Sequence, residues 1–160
     1  MPDVPAPGPV PGNRAPAFRL AADSGGEISS SLLKGKRYVL YFYPKDDTSG
    51  CTTEAVGFSQ AKRKFDAQGV TIVGVSKDSV ASHDKFKSKH HLKITLGSDP
   101  EVKTAAAFGV WVEKSMYGRK YMGLERATFL VDAKGKIREI WRKVKIPGHV
   151  EAVHAAAKSL

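Results

Sequence analysis

Tyr38-Val39-Leu40-Tyr41-Phe42-Tyr43-Pro44-Lys45-Asp46-Asp47-Thr48-Ser49-Gly50-Cys51-Thr52-Thr53-Glu54 is the stretch from which the rest of the chain can be read. Its first six residues, Tyr38 to Tyr43, form a continuous apolar, β-prone run, the pattern of a strand buried on both faces. A helix follows from about Gly50, which places Cys51 in its first turn. Free backbone N–H groups and the positive end of the dipole favour a thiolate there, and the thiolate is the reactive form of cysteine. The flanks Ser49-Gly50 and Thr52-Thr53-Glu54 are polar, unlike the setting of a packing cysteine. The stretch therefore reads as a strand-to-helix turn that presents an exposed, activated nucleophile.

Downstream, Ala55, Phe58, Ala61 and Phe65 share one helix face and Gly69 stops the helix. Val70 to Val75 reads as a second buried strand, and Ser79 caps a helix to about His90 whose Lys89, His90 and His91 suit the C-terminal dipole end. Ser98-Asp99-Pro100-Glu101 is a capping-box sequence with an early proline, predicting a helix that ends near Gly109. Ala127 to Val131 and Ile137 to Trp141 flank the turn Asp132-Ala133-Lys134-Gly135 as a hairpin. Val150, Val153, Ala157 and Leu160 give a terminal helix. This order, β-α-β-α-(α)-β-β-α, describes an α/β thioredoxin-like sandwich with a central mixed β-sheet flanked by helices. Six of the nine prolines lie in the first 16 residues, so residues 1–13 are expected to be a flexible tail and 14–160 the folded domain.

A chain of 160 residues with 41% hydrophobic and 26% charged residues is about one ordinary globular domain. Its single cysteine excludes an internal disulfide framework and a cysteine-rich zinc site. No apolar run approaches the roughly 20 residues of a membrane span. The start, Met1-Pro2-Asp3-Val4-Pro5, has neither the basic nor the apolar region of a signal peptide, so the expected compartment is the cytoplasm. The net charge of +10 is spread along the chain, with patches at Lys34-Gly35-Lys36-Arg37, Lys62-Arg63-Lys64 and Lys85 to Lys93, each on a solvated face or turn. No basic arm or aromatic-interleaved surface points to specific nucleic-acid binding. The five histidines form no ligand set for a metal and read as solvated or cap-adjacent. No cofactor motif is present.

The spacing Pro44, Thr48, Cys51 fits the Pro-x-x-x-Thr-x-x-Cys signature of peroxiredoxins. Phe42-Tyr43-Pro44-Lys45-Asp46, Gly50-Cys51-Thr52-Thr53-Glu54-Ala55 and Asp78-Ser79-Val80-Ala81-Ser82-His83 resemble the bacterioferritin comigratory protein (peroxiredoxin Q) branch. So do Leu96-Gly97-Ser98-Asp99-Pro100-Glu101, Met116-Tyr117-Gly118-Arg119-Lys120-Tyr121-Met122-Gly123 and Glu125-Arg126-Ala127-Thr128-Phe129-Leu130-Val131-Asp132. The resemblance implies a thiol-dependent peroxidase acting on hydrogen peroxide and small alkyl hydroperoxides. In it Cys51 attacks a peroxide oxygen and becomes a sulfenic acid. Arg126, charged at any relevant pH, would favour the thiolate and stabilise developing charge. Thr48 would accept a hydrogen bond from the peroxide or donate one to sulfur, and Pro44 would shield the sulfur from water. Gly50 joins the substrate site, and Tyr38, Phe42, Tyr43 and Trp111 are expected as an apolar collar. Tyr117, Tyr121 and Met122 next to the arginine segment read equally as pocket rim or as packing.

Two departures from that branch matter. Many of its members carry a second cysteine five residues past the first, where this chain has Val56. A one-cysteine version needs an external thiol: thioredoxin, glutaredoxin or a small molecule. Ser49 stands where a proline is usual and is expected to serve as a helix cap. A monomer is expected. Two other functions compete: a thiol–disulfide oxidoreductase on the same fold, and a basic binding module without catalysis. The first lacks Cys-x-x-Cys and has Arg126-Ala127 where such proteins usually place a proline.

Overall fold

In the computed structural model, which describes residues 8–160, nine strands and five helices succeed one another. In order they are β1 (Arg19–Ala22), β2 (Glu27–Ser29), β3 (Arg37–Phe42), α1 (Ser49–Gln60), α2 (Lys62–Ala67), β4 (Val70–Ser76), α3 (Val80–His90) and β5 (Thr95–Ser98). Then follow α4 (Lys103–Ala107), β6 (Trp111–Met116), β7 (Arg119–Leu124), β8 (Ala127–Val131), β9 (Ile137–Trp141) and α5 (His149–Ala157). Seven strands form one sheet in the order β2-β1-β5-β4-β3-β8-β9, while β6 and β7 form a separate two-stranded ribbon. The β3–β4 and β4–β5 pairs are parallel and the other pairs antiparallel, so the sheet is mixed.

β3 is central because it can be buried on both faces, and its period of two divides the core. Leu40 and Phe42 point with Val73, Phe108 and Phe129 into one layer. Val39, Tyr41 and Tyr43 point into the other, under α1, α2, α3 and α5, with Phe58, Phe65, Phe86 and Val153. Tyr41 faces Gly74 across the β3–β4 register. A Cβ at Gly74 would meet the Tyr41 ring at 2.7 Å, so this close approach requires glycine.

The helix expected from Gly50 to Gly69 is two helices: Ala61 (φ −86°, ψ −1°) breaks the run, and Phe65 packs on Phe58 with centroids 6.1 Å apart. Ser79 caps α3 as expected, accepting from the Ser82 N–H at 3.1 Å. The capping box at Ser98 to Glu101 does not form. Ser98 ends β5, and the Asp99 carboxylate accepts from the Thr104 and Ala105 N–H groups at 3.3 and 2.9 Å. The first seven residues of the expected tail lie outside the described residues. Nearer the domain, Gly12 N–H donates to the Ile137 carbonyl at 2.7 Å and Ile137 N–H to Asn13 at 2.9 Å, so Gly12 and Asn13 lie along the start of β9. Among the described residues no helix is long and apolar enough to cross a membrane.

Candidate active site

Thr48 takes the N-cap position of α1 with extended backbone (φ −88°, ψ 158°), so Cys51 is the third helical residue, among the N–H groups left free by the helix. The buried stripe of α1 is Cys51, Glu54, Ala55 and Phe58, the i, i+3, i+4, i+7 spacing of an amphipathic helix. That stripe corrects the expectation of an exposed thiol. Cys51 is 2% exposed, because the face that seats α1 on the sheet carries the first-turn residue inward as well.

Arg126, in the link between β7 and β8, reaches the same point from the strand paired beside β3. Its Nη2 donates to Cys51 Sγ at 3.2 Å and its Nη1 to Glu54 Oε1 at 2.6 Å. One guanidinium therefore ties the thiol to a buried carboxyl a helical turn away. Burial pushes the Glu54 carboxyl up to about 7 even though Arg126 pulls the other way. Glu54 Oε2 and the Tyr41 hydroxyl are buried without a hydrogen-bond partner among the described residues. Burial first, then Glu54 and Cys51, push the Tyr41 hydroxyl well above its ordinary value. Behind Arg126, His149 Nε2 lies 2.8 Å from Thr128 Oγ1. Burial, with Arg126 adding to it, lowers His149 to about 4, so this imidazole is neutral.

The segment carrying Pro44 and Thr48 is held by α3 and the end of β4. Asp46 is buried and accepts from Tyr43 Oη at 2.6 Å, Ser82 Oγ at 2.8 Å and His83 Nδ1 at 2.7 Å. Its own N–H donates to Asp78 Oδ2 at 2.8 Å. His83 Nε2 meets the Gly97 carbonyl at 2.9 Å, so both ring nitrogens face acceptors and the ring donates through both as imidazolium. Burial disfavours that charge, but Asp46 and the Gly97 carbonyl outweigh burial and hold His83 above its ordinary value. The next residue, Asp47 (φ 59°), pairs at the surface with Lys89 and His90 at 2.8 and 2.7 Å. The reading of all five histidines as solvated or cap-adjacent is thus corrected for His83 and His149. Both side chains are buried, one in an ion pair and one among Trp141 and Phe58.

Of the expected site residues, Cys51, Arg126 and Gly50 come together. A Cβ at Gly50 would stand 3.4 Å from Arg126 Nη2 and 3.1 Å from Ile146 Cδ1, so the absent side chain leaves room for the guanidinium. Thr48 is exposed, and its hydroxyl donates to the Lys45 carbonyl at 2.9 Å, which leaves its oxygen free to accept. Its side chain makes no capping bond. Ser49 is the first helical residue and does not cap. Pro44 is half-buried in the turn between Tyr43 and Asp46. The expected collar is corrected. Tyr38 and Phe42 point into the opposite core layer because β3 alternates, and half-buried Trp111 packs on that same layer with Lys77 Nζ 5.7 Å from its ring centroid. Tyr43 lies on the Cys51 side, but its ring is core and its hydroxyl belongs to Asp46.

The sequence does not mark Glu54, Ile146, Asp46 or His83 as site residues. Glu54 stands in the expected helix at the spacing from Cys51 that shares a face, which is the one signal that could have found it. The others are joined only by tertiary structure.

The AhpC/TSA family pattern matches residues 11–140. The putative peroxiredoxin bcp of Coxiella burnetii is 49% identical over 142 residues, covering 89% of this chain and 94% of that protein. The peroxiredoxin Bcp of Bacillus subtilis is 49% identical over 139 residues, 87% of this chain and 88% of the other. Peroxiredoxin Q of Xanthomonas campestris superposes with a TM-score of 0.85 at 44% identity, over 89% of this chain and 90% of that structure. With one thiol at the start of α1 under a guanidinium, and these relatives along nearly its whole length, the chain belongs to the AhpC/TSA family of thiol-dependent peroxidases, as a one-cysteine member of the Bcp (peroxiredoxin Q) branch.

Proposed function

We propose that Cys51 is the peroxidatic thiol, and that this chain reduces hydrogen peroxide and small alkyl hydroperoxides and is returned to its thiol by an external donor. The observation that carries this reading is the Arg126 Nη2 to Cys51 Sγ contact of 3.2 Å in the first turn of α1. The Cys51 thiolate attacks the nearer peroxide oxygen in line. The O–O bond breaks, a sulfenic oxygen is added to sulfur, and water or alcohol leaves after taking up a proton. Arg126 holds the thiolate and stabilises charge that develops on the oxygens. Thr48, its hydrogen already committed to Lys45, offers its oxygen to the peroxide O–H. Pro44 contributes no N–H and covers the sulfur from the loop side. Gly50 keeps the approach beside Arg126 open.

An alkyl substituent has a place to lie. A groove of about 620 Å³ opens beside Gly50 between α1 and α5 with the segment before it, with Gly57, Ile146, Pro147 and Val150 among its walls. In Xanthomonas campestris the bacterioferritin comigratory protein has been examined structurally for alkyl peroxide reduction, which supports the same substrate class here. With Val56 in place of a nearby second cysteine, the sulfenic acid is reduced by a thiol from outside the chain. Consumption of hydrogen peroxide and tert-butyl hydroperoxide, with dithiothreitol as donor, tests the reading. Turnover of both is expected, with complete loss in Cys51→Ser. Activity that survives the substitution places the chemistry elsewhere.

A further inference from the structure

The β6–β7 ribbon is the apolar outlier of the surface. Among the described residues six large hydrophobic side chains are exposed, and four of them stand on this one hairpin: Met116 at 56%, Tyr117 at 98%, Tyr121 at 45% and Met122 at 50%. Such clustering marks a contact surface, whereas single exposed apolar residues carry no meaning. The ribbon is anchored at its base, where Leu124 is buried and Glu125 N–H donates to the Val110 carbonyl at 2.8 Å. Its tip is a two-residue turn with both central residues at positive φ, Tyr117 at 53° and Gly118 at 77°, the type that matches strand twist. The tyrosine is thus presented on a pre-set turn, which limits the entropy lost when a partner covers it.

Register shows what shares its face. Lys114 pairs with Tyr121 and Met116 with Arg119, and the two pairs alternate onto one side of the ribbon. β7 ends at Leu124, two residues before Arg126, whose guanidinium meets Cys51 Sγ, so the base of this ribbon adjoins the thiol site. Among the described residues the Lys114 ammonium makes no hydrogen bond or ion pair. Lys114, Arg119 and Lys120 outnumber Glu113 on the hairpin, and the whole chain carries +10. An apolar centre with a basic rim calls for an acidic partner with an apolar centre.

We propose that the side of the β6–β7 hairpin bearing Lys114, Met116 and Tyr121, together with Tyr117 at its tip, is the docking surface for an acidic dithiol protein that reduces oxidised Cys51. The inference rests on the reading that Cys51 is oxidised by peroxide and recycled by an external thiol. A donor thiolate attacks the sulfenic sulfur of Cys51, forming a mixed disulfide and expelling hydroxide, which takes a proton to become water. The donor's second thiolate then attacks the donor sulfur of that bond. Its own disulfide closes and Cys51 leaves as thiolate, so two electrons pass from donor to Cys51. Because Cys51 is 2% exposed, a donor held at the rim has its thiol in place whenever the first turn of α1 opens.

Steady-state peroxidase assays with reduced thioredoxin as the probe donor, run against dithiothreitol, test the surface. In Tyr117→Ser/Tyr121→Ser the KM for thioredoxin should rise about tenfold or more, with single-turnover oxidation by hydrogen peroxide and dithiothreitol-supported turnover unchanged. The KM of the unaltered protein should also rise with salt. An unchanged thioredoxin KM in the double variant overturns the proposal. So does a wild-type protein that turns over with dithiothreitol but shows no saturation with thioredoxin. Sedimentation that shows a wild-type dimer dispersed by the same substitutions, with thioredoxin KM unaffected, assigns the surface to a second copy instead. Failure of wild-type Cys51 to oxidise in single turnover removes the underlying reading, and is seen before any donor is added.

Discussion

Asp46 and Glu54 are buried carboxyl groups five residues before and three residues after Cys51, each paired with one cation, and their surroundings differ sharply. Asp46 has both oxygens occupied, by Tyr43, Ser82 and His83, and its own N–H is bonded to Asp78. Glu54 has only Arg126, on one oxygen, and its other oxygen is unpartnered among the described residues. A fully satisfied buried network fixes geometry, whereas a half-satisfied one keeps a group close to changing its charge. The loop carrying Pro44 and Thr48 belongs to the first kind. The guanidinium over Cys51 belongs to the second, where its free donor capacity meets sulfur.

Removing Arg126 should break that contrast most severely. Arg126→Ala takes away both the contact to Cys51 and the only partner of Glu54 among the described residues, and should slow peroxide attack by about 10²–10³-fold, as for loss of a transition-state donor. Stopped-flow oxidation checks it, and Arg126→Lys should recover only part because an ammonium lacks the fork that spans sulfur and carboxyl. An unchanged rate denies Arg126 its role.

His83→Asn attacks the satisfied side. Leaving Asp46 buried without its imidazolium should cost about 3 kcal/mol in urea unfolding, with a smaller effect on peroxide rate, roughly tenfold or less, as the loop loosens. A rate loss as large as that of Arg126→Ala, at unchanged stability, would invert the comparison.

The gentlest probe is titration. Glu54 has a folded pKa of about 7 against 4.5 unfolded, so its contribution to stability is full below pH 4.5 and is lost as pH rises through 7. Glu54→Gln, which keeps an acceptor for Arg126, should abolish that loss, worth on the order of 3 kcal/mol between pH 4.5 and 7. His149, lowered to about 4 from 6.5, acts with the opposite sign: its contribution is full above 6.5 and is lost as pH falls to 4. The difference in unfolding free energy between wild type and Glu54→Gln therefore isolates the carboxyl, since His149 titrates in both. A pH-independent difference would show that Glu54 does not titrate in this window.

How legible this was in the sequence follows the same division. The β3 run, the Ser79 cap and the β8–β9 hairpin announce themselves locally, because burial, capping and turn chemistry act over a few neighbouring residues. β1 and β5 do not. They are four residues each, β5 contains Gly97, and each exists as a strand through its neighbours in the sheet, β2 and β5 for β1, β4 and β1 for β5. β6 and β7 are hidden because only their base, at Trp111 and Leu124, packs inward, which leaves no apolar alternation to read along the ribbon. In the site, the approach of Arg126 to Cys51 follows the spacing and the resemblance, whereas Thr48 and Pro44 make no recorded contact with the sulfur. The burial of Cys51 is not legible in the sequence, because its sequence neighbours are polar while its neighbours on the helix face, Glu54, Ala55 and Phe58, are inside. The Asp46–His83 pair spans 37 residues; each partner ends a motif that carries the resemblance, but nothing local pairs the two.

The most direct test of the account is intact mass of the reduced protein after one equivalent of hydrogen peroxide, with a sulfenic-acid trap present, for wild type and Arg126→Ala side by side. Rapid, stoichiometric labelling at Cys51 in wild type, and little in the variant over the same time, is the predicted result. Labelling of wild type no faster than that of a free cysteine would contradict the claim that this first turn and its guanidinium make Cys51 a peroxidatic thiol.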